Sequence, residues 1–451
     1  MVLRQRLQLI LYTLLLFGFW LDLFWNLPIF DMLLGWLAFG CVVISFSGSR
    51  RLFQGFSLFF VIGATMISLQ EGKTWVDHIS HWTSNALLLA LLYVLPFITN
   101  MVVVGRYDQS IKRLMQTRIQ HLGQAYIRTS FAGYILCIFL FFAAIPLVYR
   151  VVKKQLIHIN EQVRHSFASR AILRAFALAT IWSPIEVFIA ITLGFTGVGF
   201  GQLLPWLLLF SISLLLLDWF LGVVRYRSVR VEQRGDVTMQ PRDWKRIVAL
   251  VVGLTLLILL NLGVQQVTGI PFFAAMTLSI VPFAACWAWV SGRFASFIRY
   301  CRLRWTSQTL GLQNFMLLFL SLGFFNESLT ASSWFSYLQS PVTMLAQFPL
   351  MLFLILQLSS LVLTFVGIHP LVTIGIQGVL IQPLLTELNP LSLAIVLLTA
   401  NLATDAAGTF NTTVTMMSDL TRNNPYRITG WNLGFALLYG GIGVALALLL
   451  L

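Results

Sequence analysis

The sequence predicts an all-α polytopic membrane protein with about 10–12 transmembrane helices and two broken, hairpin-like segments in two pseudo-repeated halves. Three observations lead there. The 451 residues are 58% hydrophobic and 10% charged, with a mean hydropathy of +0.86, more apolar surface than one soluble core can cover. The cationic residues are bunched: 22 of the 29 Lys and Arg fall in 105–130, 149–174, 223–246 and 291–305. Two apolar runs also break into polar groups before they can leave a bilayer.

Candidate spans of about 17 to 25 residues, the length a bilayer requires, fall at 8–25, 28–46, 52–68, 85–104, 131–149, 203–222, 247–264, 271–290, 309–326, 342–366, 371–386 and 430–451. The start, MVLRQRLQLILYTLLLFGFW, is basic and then apolar without a small-residue cleavage site, so it is expected as a retained first helix with a cytoplasmic N-terminus. The net charge of +14 would suggest nucleic acid in a soluble protein. Its concentration in four connecting segments instead matches the positive-inside pattern, with some attraction to anionic lipid, and no base-reading motif accompanies it. Cys41, Cys137, Cys286 and Cys301 are too widely spaced to suggest a disulfide framework or a metal site.

The expected organisation is 1–104, N-terminal transmembrane helices; 105–222, a first repeat with an interfacial arm and a hairpin at 175–201; 223–340, central transmembrane helices and basic cytoplasmic loops; and 341–451, a second repeat with a hairpin at 391–420. The second hairpin is the more unusual. Its sequence LAIVLLTANLATDAAGTFNTTVTMMSD places Asn401, Thr404, Asp405, Asn411, Thr412 and Thr413 where lipid would surround an ordinary span. A carboxylate at bilayer depth costs roughly 2.5 to 3.5 kcal/mol on insertion scales, so protein or water must satisfy this centre. The first segment, AFALATIWSPIEVFIAITLGFTGVGFG, has Ser183-Pro184 in its middle, Glu186 beside it, and Thr196-Gly197 in a glycine-rich end. Proline removes a backbone donor and breaks the helix. Those glycines serve close packing or a solute loop equally well.

An offset of about 220 residues relates the halves: it puts Pro205 on Pro425 and Glu186 one residue from the position matching Asp405, while Ile145-Pro146-Leu147-Val148 resembles His369-Pro370-Leu371-Val372 at an offset of 224. Weak internal symmetry with a broken helix in each half is the sequence pointer to a transport site.

A basic amphipathic stretch, an apolar helix reaching a Ser-containing tip, and a return helix resemble the ion transporter superfamily, which includes divalent-anion/sodium symporters and arsenite and citrate permeases. The resemblance covers 131–222 and 342–451 by pattern. It implies a Ser-Asn-Thr motif at each tip that binds the coupling cation and the anion's carboxylates. The matching positions are Ser183-Pro184-Ile185, which keeps the serine, and Asn401-Leu402-Ala403-Thr404, which keeps Asn and Thr at altered spacing.

If 131–149 crosses fully, the basic segments 105–130 and 149–174 land on opposite sides, against the positive-inside pattern. The stretch KKQLIHINEQVRHSFASRAILR spaces Leu156, Ile159, Val163 and Phe167 three and four apart, as an interfacial arm would. His369, before Pro370, is either a proton relay or substrate contact, or a partner for backbone carbonyls at a helix break. Asp218 is expected to pair with Arg225, and Asp419 to cap a surface turn. Asp77, His78 and His81 have a metal-like spacing but sit in what reads as an ordinary loop.

No Walker-type phosphate loop, HExxH, CxxC pair or GxSxG elbow is present. The expected function is therefore a secondary transporter of a small, anionic solute in a bacterial inner membrane, with no cofactor beyond a coupling Na+ or H+. Its partners would be the solute and the bilayer, with a homodimer admitted and no nucleic acid. The expected binding residues are Ser183, Glu186, Thr196, Gly197, His369, Asn401, Thr404, Asp405, Asn411 and Thr412. The alternatives are a membrane-embedded envelope-assembly enzyme, a polymerase or acyltransferase on lipid-linked substrates with His369 as base, and a lipid carrier or flippase.

Overall fold

The computed structural model describes residues 3–25, 28–72, 78–231 and 238–451. In chain order, α1 (Leu3–Trp25), α2 (Pro28–Phe46), α3 (Arg51–Gln70) and α4 (Ala86–Val104) come first. Then follow α5 (Tyr107–Gln116), α6 (Leu122–Leu140), α7 (Ala144–Gln155), α8 (Glu161–Thr180), α9 (Val187–Thr196), α10 (Phe200–Tyr226) and α11 (Pro241–Thr268). Next are α12 (Phe272–Val290), α13 (Phe294–Leu310), α14 (Gln313–Thr330) and α15 (Trp334–Leu345). The chain closes with α16 (Pro349–Phe365), α17 (Pro370–Ile381), α18 (Pro390–Ala407), α19 (Thr412–Thr421) and α20 (Pro425–Leu449). Among the described residues nine helices are long and apolar enough to cross a membrane, or ten if α13 and α14, bent by 51°, form one span. The protein is an all-helical, multi-pass membrane protein.

Two compact units divide the chain: Met1–Val104 with Gly263–Met344, and Gly105–Leu262 with Leu345–Leu451. The first is held by aromatic and amide contacts. Trp82 stacks on Phe324 with ring centroids 4.4 Å apart, and Asn100 and Gln308 exchange hydrogen bonds of 3.3 and 3.0 Å between α4 and α13. Tyr12, fully buried on α1, meets the Ser45 hydroxyl on α2 at 2.5 Å. His78 and His81 contact each other at 3.3 Å in a short 3-10 turn; Asp77 lies outside the described residues.

The second unit contains one five-helix series twice: α6–α10 and α16–α20. Each series opens with two helices folded against each other. Were α6 and α7 one rod, the 34 residues of Leu122–Gln155 would span about 50 Å at 1.5 Å per residue. Instead Gln155 Nε2 donates to the Met115 carbonyl at 2.7 Å, so α7 ends beside the entry to α6. The reversal falls at Phe141, whose φ of 50° is costly for a residue with a Cβ; Phe142 stacks on Phe176 of α8 beside it, 5.5 Å between centroids. Gly367, at φ 104°, turns the second pair. There Gln377 Nε2 on α17 donates to the Leu356 carbonyl and the Ser360 hydroxyl on α16, each at 3.0 Å.

An interrupted helix and a long helix complete each series. Asn389 Nδ2 donates to the Leu450 carbonyl at 2.6 Å, which puts the start of α18 and the end of α20 together at one end of the unit. Asn423, just past α19, meets His165 near the start of α8 at 2.8 Å, at the other end. Hence α18 and α19 run on through the unit, with a break at 408–411. The first series runs the opposite way: α8 starts at the His165 end, and Phe195 near the end of α9 occupies the space beside Gly378, near the end of α17.

These positions correct two expectations. The segments 175–201 and 391–420 are not hairpins; each is part of a helix that continues past its break. The hairpins lie just upstream, at 122–155 and 349–381. Polar residues mark a helix break but carry no sign of the chain's direction after it, whereas the true turns are apolar Phe141–Ala143 and Val366-Gly367-Ile368. The expected span 131–149 straddles the first of these turns. Because α7 returns, the basic residues of 105–130 and those at the end of α7 share one end of the unit.

Asp218 pairs with Arg174 of α8 at 2.8 Å and accepts from Tyr126 of α6 at 2.8 Å, rather than pairing with Arg225. Seven residues on a helix rise about 10 Å, too far for that contact. Arg174 also donates to Asn432 and to the Trp431 carbonyl, tying α8 to α20. Asp218→Asn leaves the Arg174 charge buried without its counterion. It should lower unfolding stability by about 3–5 kcal/mol, while Arg225→Gln leaves the melting temperature of the purified protein unchanged.

Candidate functional site

The site is the place where the two helix breaks meet. A helix that stops inside a protein leaves its last carbonyls and the next helix's first N–H groups without partners, so each break must be capped locally. Glu186 caps α9 by accepting from Phe188 N at 3.4 Å, and Asn411 caps α19 by accepting from Thr413 N at 3.2 Å. His369 does the same for α17, its Nδ1 accepting from Leu371 N at 3.2 Å. That bond leaves the proton on Nε2, 3.4 Å from the Thr412 hydroxyl, so the first turns of α17 and α19 converge.

Asp405 sits near the end of α18, and the residues around it account for both oxygens. Asn411 Nδ2 donates to Oδ1 at 2.9 Å and to the Thr404 hydroxyl at 3.0 Å, while the Thr180 hydroxyl, at the end of α8, lies 3.5 Å from Oδ2 and 3.0 Å from the Phe176 carbonyl, which compete for its one proton. The Thr413 hydroxyl donates to the Asp405 carbonyl at 2.7 Å. One turn back, Asn401 donates to Gln377 of α17 at 2.8 Å. Residues 392–409 are buried throughout, which is how the unit accommodates so polar a helix.

Val187 and Thr412, and likewise Phe200 and Pro425, begin equivalent helices 225 residues apart. At that offset Thr180 corresponds to Asp405 and Glu186 to Asn411. The sequence offset of 220, which nearly matched Glu186 with Asp405, was therefore five residues short; a slip of that size is easy where most aligned letters are interchangeable apolar residues. The equivalent residues Thr180 and Asp405 touch each other across the two breaks. Glu186 is close enough to Asp405 for the two charges to interact.

Of the residues singled out in the sequence, Asn401, Thr404, Asp405 and Asn411 form one chain of polar contacts, His369 and Thr412 form a separate pair, and Ser183 and Glu186 lie in the facing break. Thr196 and Gly197 do not join them. Thr196 bonds back to Thr192, and Gly197, at φ 68°, ends α9 in a left-handed cap. Sequence reasoning missed Thr180, Gln377 and Ser360. Gln377, an amide within the apolar run TIGIQGVL, carried a usable signal; Thr180 carried none, because a lone threonine bonding its own helix is ordinary.

Three buried oxygens here have no hydrogen-bond partner: Glu186 Oε2, Thr192 Oγ1 on α9, and Thr373 Oγ1 on α17. Native proteins rarely leave such atoms unsatisfied, so each calls for a partner such as water or an ion.

The fold is that of a polytopic membrane protein and is shared with two solved structures. Over 88% of this chain and 97% of the other, it matches the Alcanivorax borkumensis YdaH transporter with a TM-score of 0.62 at 14% identity, a structure noted for an unusual topology. Over 87% and 94% respectively it matches Neisseria gonorrhoeae MtrF, of a class of antimetabolite efflux pumps, with a TM-score of 0.56 at 12% identity. At these identities the likeness is one of fold. No protein-family model matches the chain, and no curated protein matches it in sequence.

Gly408 holds the second break against the hairpin turn: a Cβ there would lie 2.6 Å from Thr364 Cγ2. Gly408→Ala should destabilise the protein by about 1–3 kcal/mol through overpacking. Thr364→Ser, which removes the obstructing methyl, should recover part of the lost melting temperature in the double variant.

Proposed function

We propose that this protein is an ion-gradient-driven secondary transporter of a small, anionic solute, working by alternating access in a bacterial inner membrane. The observation that carries the reading is the carboxylate pair at the junction of the two breaks: Asp405, held by Asn411 and Thr180, and Glu186, with one oxygen unpartnered. Two buried carboxylates within each other's field favour a proton or a cation between them. In this reading they bind the coupling H+ or Na+.

The solute would be met by the first turns of α17 and α19, whose N–H groups and dipoles favour a negative group. Asn401, Gln377, Ser183, Thr412 and His369 would supply neutral hydrogen bonds around it. The two hairpins, 122–155 and 349–381, would be re-entrant from opposite membrane faces. Opposed repeats around a midplane site are the arrangement in which one packed element can rock against another. The fold shared with two transporters supports this, while neither match carries the resemblance to the ion transporter superfamily.

Asp405→Asn tests the reading directly, because it keeps the shape and the acceptor for Asn411 while removing the charge. Uptake into proteoliposomes should lose its dependence on pH or sodium, and the melting temperature should stay near that of the wild type. Wild-type coupling in the Asn variant would reject Asp405 as the ion site. Glu186→Gln, placed in the facing break, should weaken coupling in the same assay by roughly tenfold or more, a cost of about 1.4 kcal/mol.

A further inference from the structure

A second candidate site, an apolar cavity rimmed by basic side chains, lies along the hairpin from the helix breaks, at the end of the unit where the basic segments gather. A cavity of about 270 Å³ is lined by Lys112 and Gln116 of α5 and by Leu147, Arg150, Val151 and Lys154 of α7. The walls have two characters. Lys112, Arg150 and Lys154 supply three cationic side chains, while Leu147 and Val151 give an apolar flank. The only acidic partner among these contacts is Asp108, which bonds Lys112 at 2.8 Å. The neighbouring Arg113 is turned away, held by Asp243 at 3.2 Å together with Ser110.

The position is as informative as the lining. α5 is a ten-residue helix that buries Tyr107, Ile111 and Met115 while Arg113 is exposed, the pattern of a helix lying along an interface. α7 enters the unit as an apolar arm and ends in Lys153 and Lys154, where Gln155 ties it to α5. Basic and apolar walls side by side, at the rim of a membrane protein, match a ligand whose phosphate is joined to an acyl chain. The volume is below the range of about 300–1,000 Å³ usual for drug-sized ligands, so it takes a headgroup and not a whole lipid.

We infer that this cavity is a binding site for the phosphate headgroup of an anionic phospholipid, which fixes the outer end of the first hairpin to the membrane surface. Arg150 and Lys154 engage the phosphate, Lys112 shares its charge between Asp108 and the lipid, and the first acyl carbons lie along Leu147 and Val151. The inference stands independently of which solute or ion the protein handles.

The test uses the full-length protein in nanodiscs of phosphatidylcholine alone or mixed with phosphatidylglycerol, with retained lipid counted by native mass spectrometry and melting temperature recorded alongside. The wild type should retain phosphatidylglycerol and gain stability from it. Arg150→Gln with Lys154→Gln should weaken retention roughly 25-fold, about fivefold for each charge removed near an anionic surface. Removing two exposed charges elsewhere, Arg299→Gln with Arg302→Gln on α13, should leave retention at the wild-type level. If the double glutamine variant melts lower in phosphatidylcholine alone, the charge-keeping pair Arg150→Lys with Lys154→Arg decides the matter, and it must retain the lipid. Equal retention by wild type and glutamine variant would overturn the site, as would equal loss in the α13 control. Inorganic phosphate stabilising the wild type in phosphatidylcholine as fully as phosphatidylglycerol does would overturn the lipid as occupant.

Discussion

Asp405 imposes the condition that the centre of the second unit has to meet. A carboxylate 4% exposed within an apolar bundle must be given donors, a counterion or a proton. Asn411 reaches it from beyond the break after α18, where an unbroken helix would carry it about 9 Å further along, and Thr180 approaches from the end of α8. The interruption of α18 is thus the backbone counterpart of that side chain. Each break in turn requires a cap, supplied by Glu186 and Asn411, and each cap adds another polar group to the same place. The break after α18, its Asn411 cap and the burial of nearly all of α18 are consistent with the needs of that one buried charge.

The hairpins meet the same requirement from outside. The turn after α16 presents His369 to the first turn of α19, and the turn after α6 packs Phe142 on Phe176, four residues before Thr180. Each break is therefore closed off by an apolar turn from its own series rather than by lipid. Irregular backbone at membrane depth is tolerated under such cover and otherwise not. The Arg174–Asp218 pair does separate work nearer the basic end, where Tyr126, Asn432 and the Trp431 carbonyl gather on it and fasten α6, α8, α10 and α20 together.

Much of this was legible in the residues. Composition fixed the membrane class, and the polar interruptions located both breaks and the four residues Asn401, Thr404, Asp405 and Asn411 that are in polar contact there. The direction of the chain at each interruption was not legible. Ser183-Pro184 and Gly408 say that a helix stops, while whether it resumes onward or returns depends on tertiary contacts such as Asn389 with Leu450 and Asn423 with His165. The hairpin turns escaped notice for the opposite reason, since Phe141-Phe142-Ala143 reads as uninterrupted span. The repeat was visible only as a hint. Ile145-Pro146-Leu147-Val148 and His369-Pro370-Leu371-Val372 do fall on the first turns of the two returning arms, α7 and α17, but the Pro205 match does not survive the structural offset.

The corrected offset changes what the symmetry means. Two opposed series of the same helices can exchange shapes, so an inward and an outward arrangement of the unit would cost similar free energies if the sequences were equal. They are unequal at the junction. Thr180 faces Asp405 where two identical residues would sit in a perfect repeat, and Glu186 takes the place that Asn411 holds opposite. Each series therefore contributes one carboxylate and one neutral partner, at different depths along its break. In the proposed transport reading, a relative shift of the two series changes the separation of Glu186 and Asp405, and with it the strength of any ion held between them. A conformational change and an ion-binding equilibrium linked through one distance must bias each other reciprocally, which is the thermodynamic requirement for coupling.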